Sequence, residues 1–369
     1  MNRGGVESML MNYYRRIDRT QVQFDFLLTE QNKCLFEDEI EELGGRVFRV
    51  PLPRIITPLP YINGLRLFFV EHPEYTIVHS HTSSKSAIPL WVAKKSGVPV
   101  RIAHSHNNKS EAGIYGKVRD LLKIPLRSVA TDFFACGEEA AKWLFGQKIW
   151  KMGSVSVLAN AIPVEKYVFN FKQRDMIRNK YKIPSNTLVL GMVARFSVQK
   201  NHVFALELIR ALRNRGEDVR LLLVGDGELK NTILRKVADY RIGKEVLLTG
   251  VVSDISVQLQ AMDAVLMPSF SEGLPVSLIE AQANGLQCVV SDRVPAEVDI
   301  TGNVTFLPLN IKMWTDFIST MTEKKKGVER DVKAIGKVRA AGYDIENASK
   351  LLERWYVNKS QMGTKIIKS

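Results

Sequence analysis

Short runs of apolar residues recur along the whole chain, separated by polar stretches that contain glycine and charged residues. Such runs are typical of strands that are buried on both faces of a parallel sheet. We predict strands at these runs in both halves of the chain. They are Val22–Leu28, Arg46–Val50, Tyr75–His79, Val98–Ala103, Thr131–Ala135, Val155–Leu158, Leu188–Ala194, Val219–Val224, Val246–Leu248, Ala264–Met267 and Cys288–Ser291.

Amphipathic helical patterns lie between the predicted strands. In Val203–Arg213, for example, apolar residues recur at the i, i+3, i+4 and i+7 positions of a helix. Alternating strands and helices predict an α/β fold with parallel sheets covered on both faces. The arrangement occurs twice and is interrupted by the polar segment Asn160–Ser185, so we predict two Rossmann-like domains, 1–165 and 166–342.

The composition, with 45% hydrophobic and 25% charged residues, is that of a globular enzyme. Three widely spaced cysteines form neither a disulfide framework nor a metal pattern, which indicates a reducing compartment. No apolar run is long enough to span a bilayer and no signal peptide is recognisable. We therefore expect a cytoplasmic protein or one bound to the inner face of the cell membrane. The net charge of +13 suits an anionic partner, whether nucleic acid, lipid headgroups or a phosphorylated substrate; a solvated basic face with no specific partner is an equal alternative.

Ligands of parallel sheets bind beyond the carboxyl ends of the strands, so the following loops are where chemistry is expected. The loop after Leu188–Ala194 carries two cations, Arg195 and Lys200, just before a helix that starts near Asn201. The free N–H groups and the dipole of that helix favour anions, which suits a diphosphate. The alternative is that both are ordinary surface cations.

Two further loops contain glycine. The turn Gly225-Asp-Gly227-Glu228 allows backbone to approach a ligand closely, and the turn at Gly250 and Val251 has the form of one that presents backbone groups to a nucleobase. Each signal is weak alone, because many corners between a strand and a helix contain similar glycines.

The loop that begins at Ser271 gives the most specific signal. Pro275 fits the first turn of a helix and Gly285 its C-terminal cap. Glu272 then lies just before the helix, where it can accept hydrogen bonds from sugar hydroxyls, and Glu280 lies in the second turn, where it can accept them from a ribose. Two backbone N–H groups beside the positive end of the helix are suited to a phosphate, those of Gly273 and Leu274.

The first half of the chain offers a glycine loop and several histidines. Gly4 and Gly5 precede a helical pattern, Val6–Ile17, in the manner of a loop that closes over a phosphate. His106 follows a predicted strand, where a loop histidine can face a cleft; the alternative is a polar loop residue with no role. We interpret His79, His81 and His104 as mostly structural. Metal binding by the histidines is the weaker alternative, because no acidic residue stands at ligand spacing.

The segment Tyr115–Ser128 mixes four cations with four leucine and isoleucine residues and a single acidic residue. This composition suits a surface patch that touches anionic lipid near a lipid-linked acceptor. An amphipathic core helix is an equal alternative, and Pro125 interrupts any long helix in this segment.

In their order along the chain, the four loops of the second half resemble those of the retaining glycosyltransferases of family four, which have the GT-B fold of two facing Rossmann-like domains. Residues 271–285 resemble the E-x7-E signature of that family. Arg195–Asn201 resembles its G-R-L-x-x-x-K-(G/N) loop, with Phe196 in place of the commoner leucine, and Gly225–Glu228 resembles its G-x-G-(E/P) turn. The likeness spans nearly the whole chain.

The resemblance implies a role for each motif residue. Arg195 and Lys200 would hold the donor diphosphate and act in catalysis, Glu280 would bind the ribose, and Glu272 would act on the transferred sugar. His106 resembles the histidine that lies near the reacting sugar. The remaining donor-binding residues implied are Gly5, Gly227, Gly250, Val251, Gly273, Leu274 and Pro275.

The implied activity is transfer of a sugar from a nucleoside diphosphate sugar, a UDP-sugar, to a glycan or lipid-linked acceptor with retention of configuration, in exopolysaccharide or capsule assembly. No metal or other cofactor is expected, because two cations replace the metal and no Asp-x-Asp pair is present, and no nucleic acid is expected as a partner. The alternatives are a sugar-nucleotide 2-epimerase and a nucleotide-sugar-binding protein without turnover. A NAD-dependent dehydrogenase is disfavoured, because no G-x-G-x-x-G follows a strand.

The resemblance also carries expectations for the two ends of the chain. Residues 343–369 would form a helix that crosses back to the N-terminal domain, anchored by Trp355, and a loose tail after Val357. A strand precedes the Gly-Gly-x-Glu loop in the family, whereas only three residues precede Gly4 here. We therefore expect the first strand of the N-terminal domain to be absent.

Overall fold

The computed structural model describes residues 5–53, 57–106, 116, 120–324 and 330–367. The chain divides into two compact units. Unit 1 consists of Met1–Ala161 and Asp344–Ser369, and unit 2 consists of Ile162–Tyr343. The boundaries drawn from the sequence, 165/166 and 342/343, fall within a few residues of these divisions.

The strands of the two units carry the labels β1 to β12 in chain order. Unit 1 contains β1 (Phe26–Leu28), β2 (Val47–Arg49), β3 (Ile77–Ser80), β4 (Val100–Ser105), β5 (Asp132–Ala135) and β6 (Val155–Val157). Unit 2 contains β7 (Leu188–Val193), β8 (Val219–Val224), β9 (Val246–Gly250), β10 (Ala264–Met267), β11 (Gln287–Ser291) and β12 (Val304–Leu307).

The α-helices carry the labels α1 to α15. They are α1 (Gly5–Tyr14), α2 (Glu37–Glu42), α3 (Leu59–Glu71), α4 (Ala87–Lys95), α5 (Lys123–Val129), α6 (Glu138–Phe145), α7 (Gln147–Lys151), α8 (Phe171–Lys180), α9 (His202–Asn214), α10 (Lys230–Asp239), α11 (Ile255–Ala261), α12 (Val276–Ala283), α13 (Ile311–Lys324), α14 (Ala334–Ala340) and α15 (Ile345–Ile367). The described residues also form short 3₁₀ helices at Ser83–Ser86, Val164–Tyr167, Val198–Lys200 and Ala296–Val298. None of the helices in the described part of the chain is both long and apolar enough to cross a bilayer.

All the strands predicted from the sequence are present, most with ends shifted by one to four residues, so the α/β prediction with parallel sheets is confirmed. The sequence missed β12. This strand is only four residues long, it lies at the edge of its sheet and each of its residues is partly exposed. It therefore lacks the strong apolar run that marks a strand buried on both faces.

Unit 1 contains two separate parallel sheets, one of β1 and β2 and the other of β3, β4, β5 and β6 in that order. Within the described residues no strand precedes α1. Polar side chains join the two sheets near the starts of β1 and β3. Arg46 donates to Asp25 and to the Tyr75 hydroxyl, at 2.8 Å in both cases, and Tyr75 itself donates to Asp25.

Helix α15 packs on unit 1, where its apolar residues share a core with α1 and the strands. The Trp355 ring meets the Phe134 ring edge-on, with centroids 5.0 Å apart. Glu353 accepts a hydrogen bond from the backbone N–H of Asp18 at 2.9 Å. The helix continues past Val357, where the sequence suggested a loose tail, to Ile367.

Unit 2 is built on one parallel sheet with the strand order β12-β11-β10-β7-β8-β9. Strand β7 is buried throughout, and its alternate residues face different cores: Val189 and Val193 contribute to one, Leu190 and Met192 to the other. The strand order reverses between β7 and β10, which makes this the topological switch point where ligands of doubly wound sheets bind.

A buried ion cluster holds the switch point together at the amino ends of its strands. Asp263, just before β10, accepts hydrogen bonds from Arg174 at 2.6 Å, from Arg178 at 2.7 Å and from the backbone N–H of Val189 at 2.7 Å. The side chains of both arginines are only 3% exposed. This anchoring matters because β7 and β10 pair through only two residues each, Leu190 with Ala264 and Gly191 with Val265.

We expect Asp263→Ala to lower the free energy of unfolding by about 3–5 kcal/mol, because it leaves two guanidinium groups buried without their anion. Asp316→Ala is the matched control: Asp316 also accepts from two cations, Arg215 and Lys312, but its side chain is 46% exposed, so its loss should lower the free energy of unfolding far less. Urea unfolding measures both. Equal losses for the two variants would contradict this account of the cluster.

Candidate functional site

The loops that follow β7 and β10 meet at the carboxyl side of the switch point. The backbone N–H of Phe270 donates to the carbonyl of Gln199 at 2.9 Å, and the side-chain amide of Gln199 donates to the carbonyl of Ser271 at 2.6 Å. Two of the residues that the sequence analysis selected are brought together by these contacts. They are Lys200 and Glu272.

Lys200 and Glu272 form an ion pair. The Lys200 Nζ lies 2.7 Å from Oε1 and 2.8 Å from Oε2 of Glu272, so the ammonium group contacts both carboxylate oxygens. The Glu272 side chain is 6% exposed and that of Lys200 21% exposed, so one edge of the pair reaches the surface. A cation and an anion predicted to hold different parts of one ligand thus hold each other in this structure.

Arg195 has a more open position than Lys200. Its guanidinium group pairs with Glu228 at 3.1 Å, and its side chain is 75% exposed. Because a pair in water is worth little, Arg195 can exchange Glu228 for another anion at small cost. Arg195 and Lys200 therefore lie on the same loop, but the side chain of Lys200 is held more firmly than that of Arg195.

The glycine turn after β8 packs against the loop after β7. Gly225 has φ +141°, and a Cβ added to it would lie 2.1 Å from the carbonyl oxygen of Ala194; a Cβ on Gly227 would lie 2.5 Å from the carbonyl oxygen of Phe196. The backbones also exchange hydrogen bonds there, including Phe196 N–H to the Asp226 carbonyl at 2.9 Å. These two glycines therefore lie against the loop that carries Arg195 and hold that loop in place.

The turn after β9 contacts the glycine turn after β8. The backbone N–H of Gly225 donates to the Gly250 carbonyl at 3.0 Å, and Gly250 has a φ of +73° that favours glycine. Val251, which follows, is exposed. The loops after β7, β8 and β9 are therefore tied together through their backbones, and the loop after β10 joins them through Phe270.

Helix α12 begins close to where the sequence predicts it. Pro275 is the capping residue, with extended backbone, and Val276 is the first helical residue. Gly285 follows the helix with φ +74°. Gly273 and Leu274 lie in the loop between Glu272 and the start of the helix, and Leu274 is buried.

Glu280, in the second turn of α12, accepts a hydrogen bond from the Tyr167 hydroxyl at 2.6 Å. Burial raises the pKa of Glu280 to about 7; the bond from Tyr167 opposes this rise, and the nearby charge of Asp254 adds to it. The backbone carbonyl of Tyr167 accepts from the side chain of Asn284 at 2.8 Å, which fixes the tyrosine. The sequence analysis missed Tyr167, because it lies more than a hundred residues before Glu280 in a short 3₁₀ helix that has no motif.

The four histidines of unit 1 that the sequence analysis considered lie close together. His79 and His104 are 3.1 Å apart between ring nitrogens, and His81 and His106 are 3.0 Å apart. Burial lowers the pKa of all four imidazoles, to about 3 for His79 and about 4 for His106. They are therefore neutral at physiological pH.

The other predictions for unit 1 fall partly on residues outside the described ranges. Gly5 is the first residue of α1, whereas Gly4 lies outside the description. Of the segment 115–128, residues 116 and 120–128 are described. There Leu126 is buried, while Leu121 and Ile124 are 63% and 71% exposed. The described part thus combines one core residue with two apolar residues at the surface.

The amino-acid sequence matches two protein-family models. Residues 173–305 match the model of the glycosyl transferases group 1, and residues 4–158 match the glycosyl transferase 4-like domain. EpsF of Bacillus subtilis (strain 168), which carries the name of a glycosyltransferase, is 36% identical over 365 residues, with 97% of this chain and 94% of EpsF covered.

A second relative and a solved structure extend the comparison. The UDP-Gal:alpha-D-GlcNAc-diphosphoundecaprenol alpha-1,3-galactosyltransferase of Escherichia coli is 28% identical over 279 residues, which cover 73% of this chain and 72% of that enzyme. The crystal structure of Anabaena HepE in complex with UDP is similar in fold, with a TM-score of 0.78, 16% identity and 96% of each chain covered.

The raised pKa of Glu280 predicts a pH dependence of stability. Between pH 4.5 and about 7 the folded state retains a proton that the unfolded state has lost, so the contribution of Glu280 to the free energy of unfolding is greatest at low pH and falls as the pH rises through that range. Glu280→Gln removes this titration. We therefore expect the unsubstituted protein to lose stability relative to Glu280→Gln from pH 5 to pH 7 in thermal melts. Parallel pH profiles for the two proteins would refute the assignment.

Proposed function

Since the chain belongs to the group 1 glycosyltransferases and has their GT-B fold, we propose that it takes the sugar from a UDP-sugar and transfers it, with retention, to a lipid-linked saccharide. CapH of Staphylococcus aureus, a relative, is named a capsular polysaccharide biosynthesis glycosyltransferase, which suggests exopolysaccharide or capsule assembly as the setting. The observation that carries the proposal is the ion pair of Lys200 and Glu272 at the switch point of unit 2.

Binding of the donor would proceed by an exchange of partners. Lys200 would leave Glu272 for the diphosphate, and Glu272 would accept hydrogen bonds from hydroxyls of the transferred sugar instead. Because each member of the pair gains a ligand group as it loses the other, neither charge is left buried and alone. Arg195, with its exposed and weakly held guanidinium group, would add a second cation to the diphosphate.

Glu280 would accept hydrogen bonds from the ribose, with its carboxyl group held in place by Tyr167. The backbone N–H groups of Gly273 and Leu274, beside the start of α12, would bind the phosphate next to the sugar, where the helix dipole favours negative charge. The turn at Gly250 and Val251 would meet the base.

In the reaction, charge accumulates on the diphosphate as the bond to the sugar breaks. Fixed cations and the start of a helix lower the barrier to that step, because they are already oriented towards the developing charge. The neutral imidazole of His106, in unit 1, is suited to hydrogen-bond a sugar hydroxyl. Retention of configuration follows from the resemblance to family four, and the leaving phosphate is the base that accepts the acceptor's proton.

The acceptor proposed is a saccharide on a lipid diphosphate, the class of acceptor in the name of the Escherichia coli relative. The exposed side chains of Leu121, Ile124 and Arg127 lie within one short segment, a combination suited to the interface of an anionic membrane. This placement would bring the protein to the cytoplasmic face of the membrane, where its buried free cysteines remain reduced.

The test is an incubation of the purified protein with a panel of UDP-sugars, with and without lipid-linked saccharide acceptors. Release of UDP that depends on the acceptor, together with a lengthened lipid-linked product, would support transfer. Interconversion of the sugar nucleotide without acceptor would identify an epimerase, and binding without turnover would identify a binding protein; either result would overturn the proposal.

We expect Lys200→Ala to lower kcat about 100-fold while KM for the donor changes less, because the charge of Lys200 matters most as the diphosphate departs. Lys312→Ala, which removes an exposed lysine that is paired with Asp316 in the same unit, is the control and should leave both constants unchanged. Steady-state kinetics separates the two parameters. A rise in KM alone for Lys200→Ala would limit the lysine to binding the donor.

Transfer should continue in excess chelator, because the fixed cations Arg195 and Lys200 take the part that a divalent metal plays in other transferases. The measurement is the rate of UDP release before and after extended dialysis against a chelator. Loss of activity that manganese or magnesium restores would contradict this assignment.

A further inference from the structure

Two side chains that follow neighbouring strands of unit 2 have no part in the proposed donor binding. Phe270 follows β10 and Arg293 follows β11, and these strands are paired in parallel, so the two loops leave the same edge of the sheet. The guanidinium carbon of Arg293 lies 5.9 Å from the centroid of the Phe270 ring, which is within the range of a cation–π contact. The two loops therefore bring an aromatic ring and a cation together.

Hydrogen bonds fix the backbone on both sides of Phe270. The carbonyl of Ser269 accepts from the Ser291 hydroxyl at 2.6 Å, and both serines are fully buried. The N–H of Phe270 donates to the Gln199 carbonyl at 2.9 Å, and the Gln199 side chain donates to the Ser271 carbonyl at 2.6 Å. The ring is thus carried by a rigid part of the loop.

Arg293 lies in a tight turn. The N–H of Val294 donates to the Ser291 carbonyl at 3.1 Å, which puts Asp292 and Arg293 at the two central positions of the turn, and both are exposed. Within the described ranges, the Arg293 guanidinium group forms no ion pair. Its charge is therefore available to an anionic ligand.

The Phe270 side chain is open to solvent although its backbone is fixed. The residue is 41% exposed, and a single exposed phenyl group needs no function by itself. This ring, however, lies two residues before Glu272, whose side chain is only 6% exposed, and it has a cation beside it. The ion pair of Lys200 and Glu272 is thus largely enclosed, whereas Phe270 and Arg293 are accessible to a second ligand.

An aromatic ring and a guanidinium group match two parts of one kind of ligand. The C–H groups on a face of a pyranose carry partial positive charge and pack on the negative face of an aromatic ring. A guanidinium group binds phosphate oxygens through two parallel hydrogen bonds. A sugar attached to a diphosphate offers both features side by side.

Given the proposed function, from which the class of acceptor is taken, we propose that Phe270 and Arg293 form a subsite for the acceptor on unit 2. The ring packs on the acceptor sugar, and the guanidinium group binds the diphosphate to which that sugar is attached. The donor is the less suitable occupant, because its diphosphate already has two cations, Arg195 and Lys200, and its sugar is assigned to the enclosed Glu272.

The test compares two soluble acceptors that contain N-acetylglucosamine. One carries an α-linked diphosphate with a short alkyl chain, and the other has an alkyl group in place of the diphosphate. At a saturating concentration of the UDP-sugar, Phe270→Ala should raise KM about tenfold for both acceptors, and Arg293→Gln should raise it about tenfold for the diphosphate acceptor alone. KM for the donor should change less than about twofold, since neither residue holds the donor. Phe270→Tyr, which keeps the ring, should retain the KM of the unsubstituted protein.

The controls are Phe171→Ala and Arg235→Gln, which alter an exposed phenylalanine and an exposed arginine elsewhere in unit 2 and should change neither KM. Melting temperatures show that the variants are folded, which is expected because all the substituted side chains are exposed. Three results would overturn the subsite: an unchanged acceptor KM for Phe270→Ala, an equal effect of Arg293→Gln on the two acceptors, or a raised donor KM in either variant.

Direct binding distinguishes a failure of the subsite from a failure of the proposed function. If no UDP-sugar is turned over, calorimetric titration of the diphosphate acceptor into the UDP-loaded protein still measures the subsite. About tenfold weaker binding by Phe270→Ala and by Arg293→Gln supports it, and equal binding or no saturable binding overturns it. Transfer with an unaltered acceptor KM in both variants would remove the subsite alone and leave the proposed function standing.

Discussion

Asp263 lies where the two halves of the sheet in unit 2 meet, and the proposed donor site depends on that junction. Its carboxylate accepts from Arg174, Arg178 and the backbone of Val189, so it fixes the start of β7 beside the start of β10. The two strands share few ladder hydrogen bonds of their own. The loops that leave their far ends can face each other because the strands beneath them are held in register.

Above these strands, backbone contacts hold the loops of the candidate site together. The turn at Gly225 and Gly227 packs against the backbone of Ala194 and Phe196 with no space for a side chain. The backbone N–H of Gly225 also donates a hydrogen bond to the carbonyl of Gly250. Binding groups on such a scaffold lose little freedom when they engage a ligand, which is the condition for electrostatic preorganisation. The glycines of this site are thus required by packing.

Most strands could be predicted from the sequence because buried strands have apolar runs. The position of α12 could be predicted because Pro275 and Gly285 mark the two ends of a helix. The pairing of Lys200 with Glu272 could not, because two motifs far apart in sequence meet only through the strand order. Tyr167 was missed for the same reason: the hydrogen bond it donates to Glu280 is non-local and leaves no periodic signal. The edge strand β12 was not predicted, because a strand that is only partly buried has a weaker apolar pattern in its sequence.

Unit 1 is made from two segments of chain separated by the whole of unit 2, and this has a consequence for synthesis on the ribosome. Ile345, Leu352 and Tyr356 of α15 complete the core that contains Met11 and Ile102. At the usual pace of translation, the residues of unit 2 take roughly ten to forty seconds to emerge. Unit 2 can fold as soon as its own residues are out, while the apolar surface of the first segment waits for the last helix. The N-terminal part of the chain, although made first, is therefore completed last.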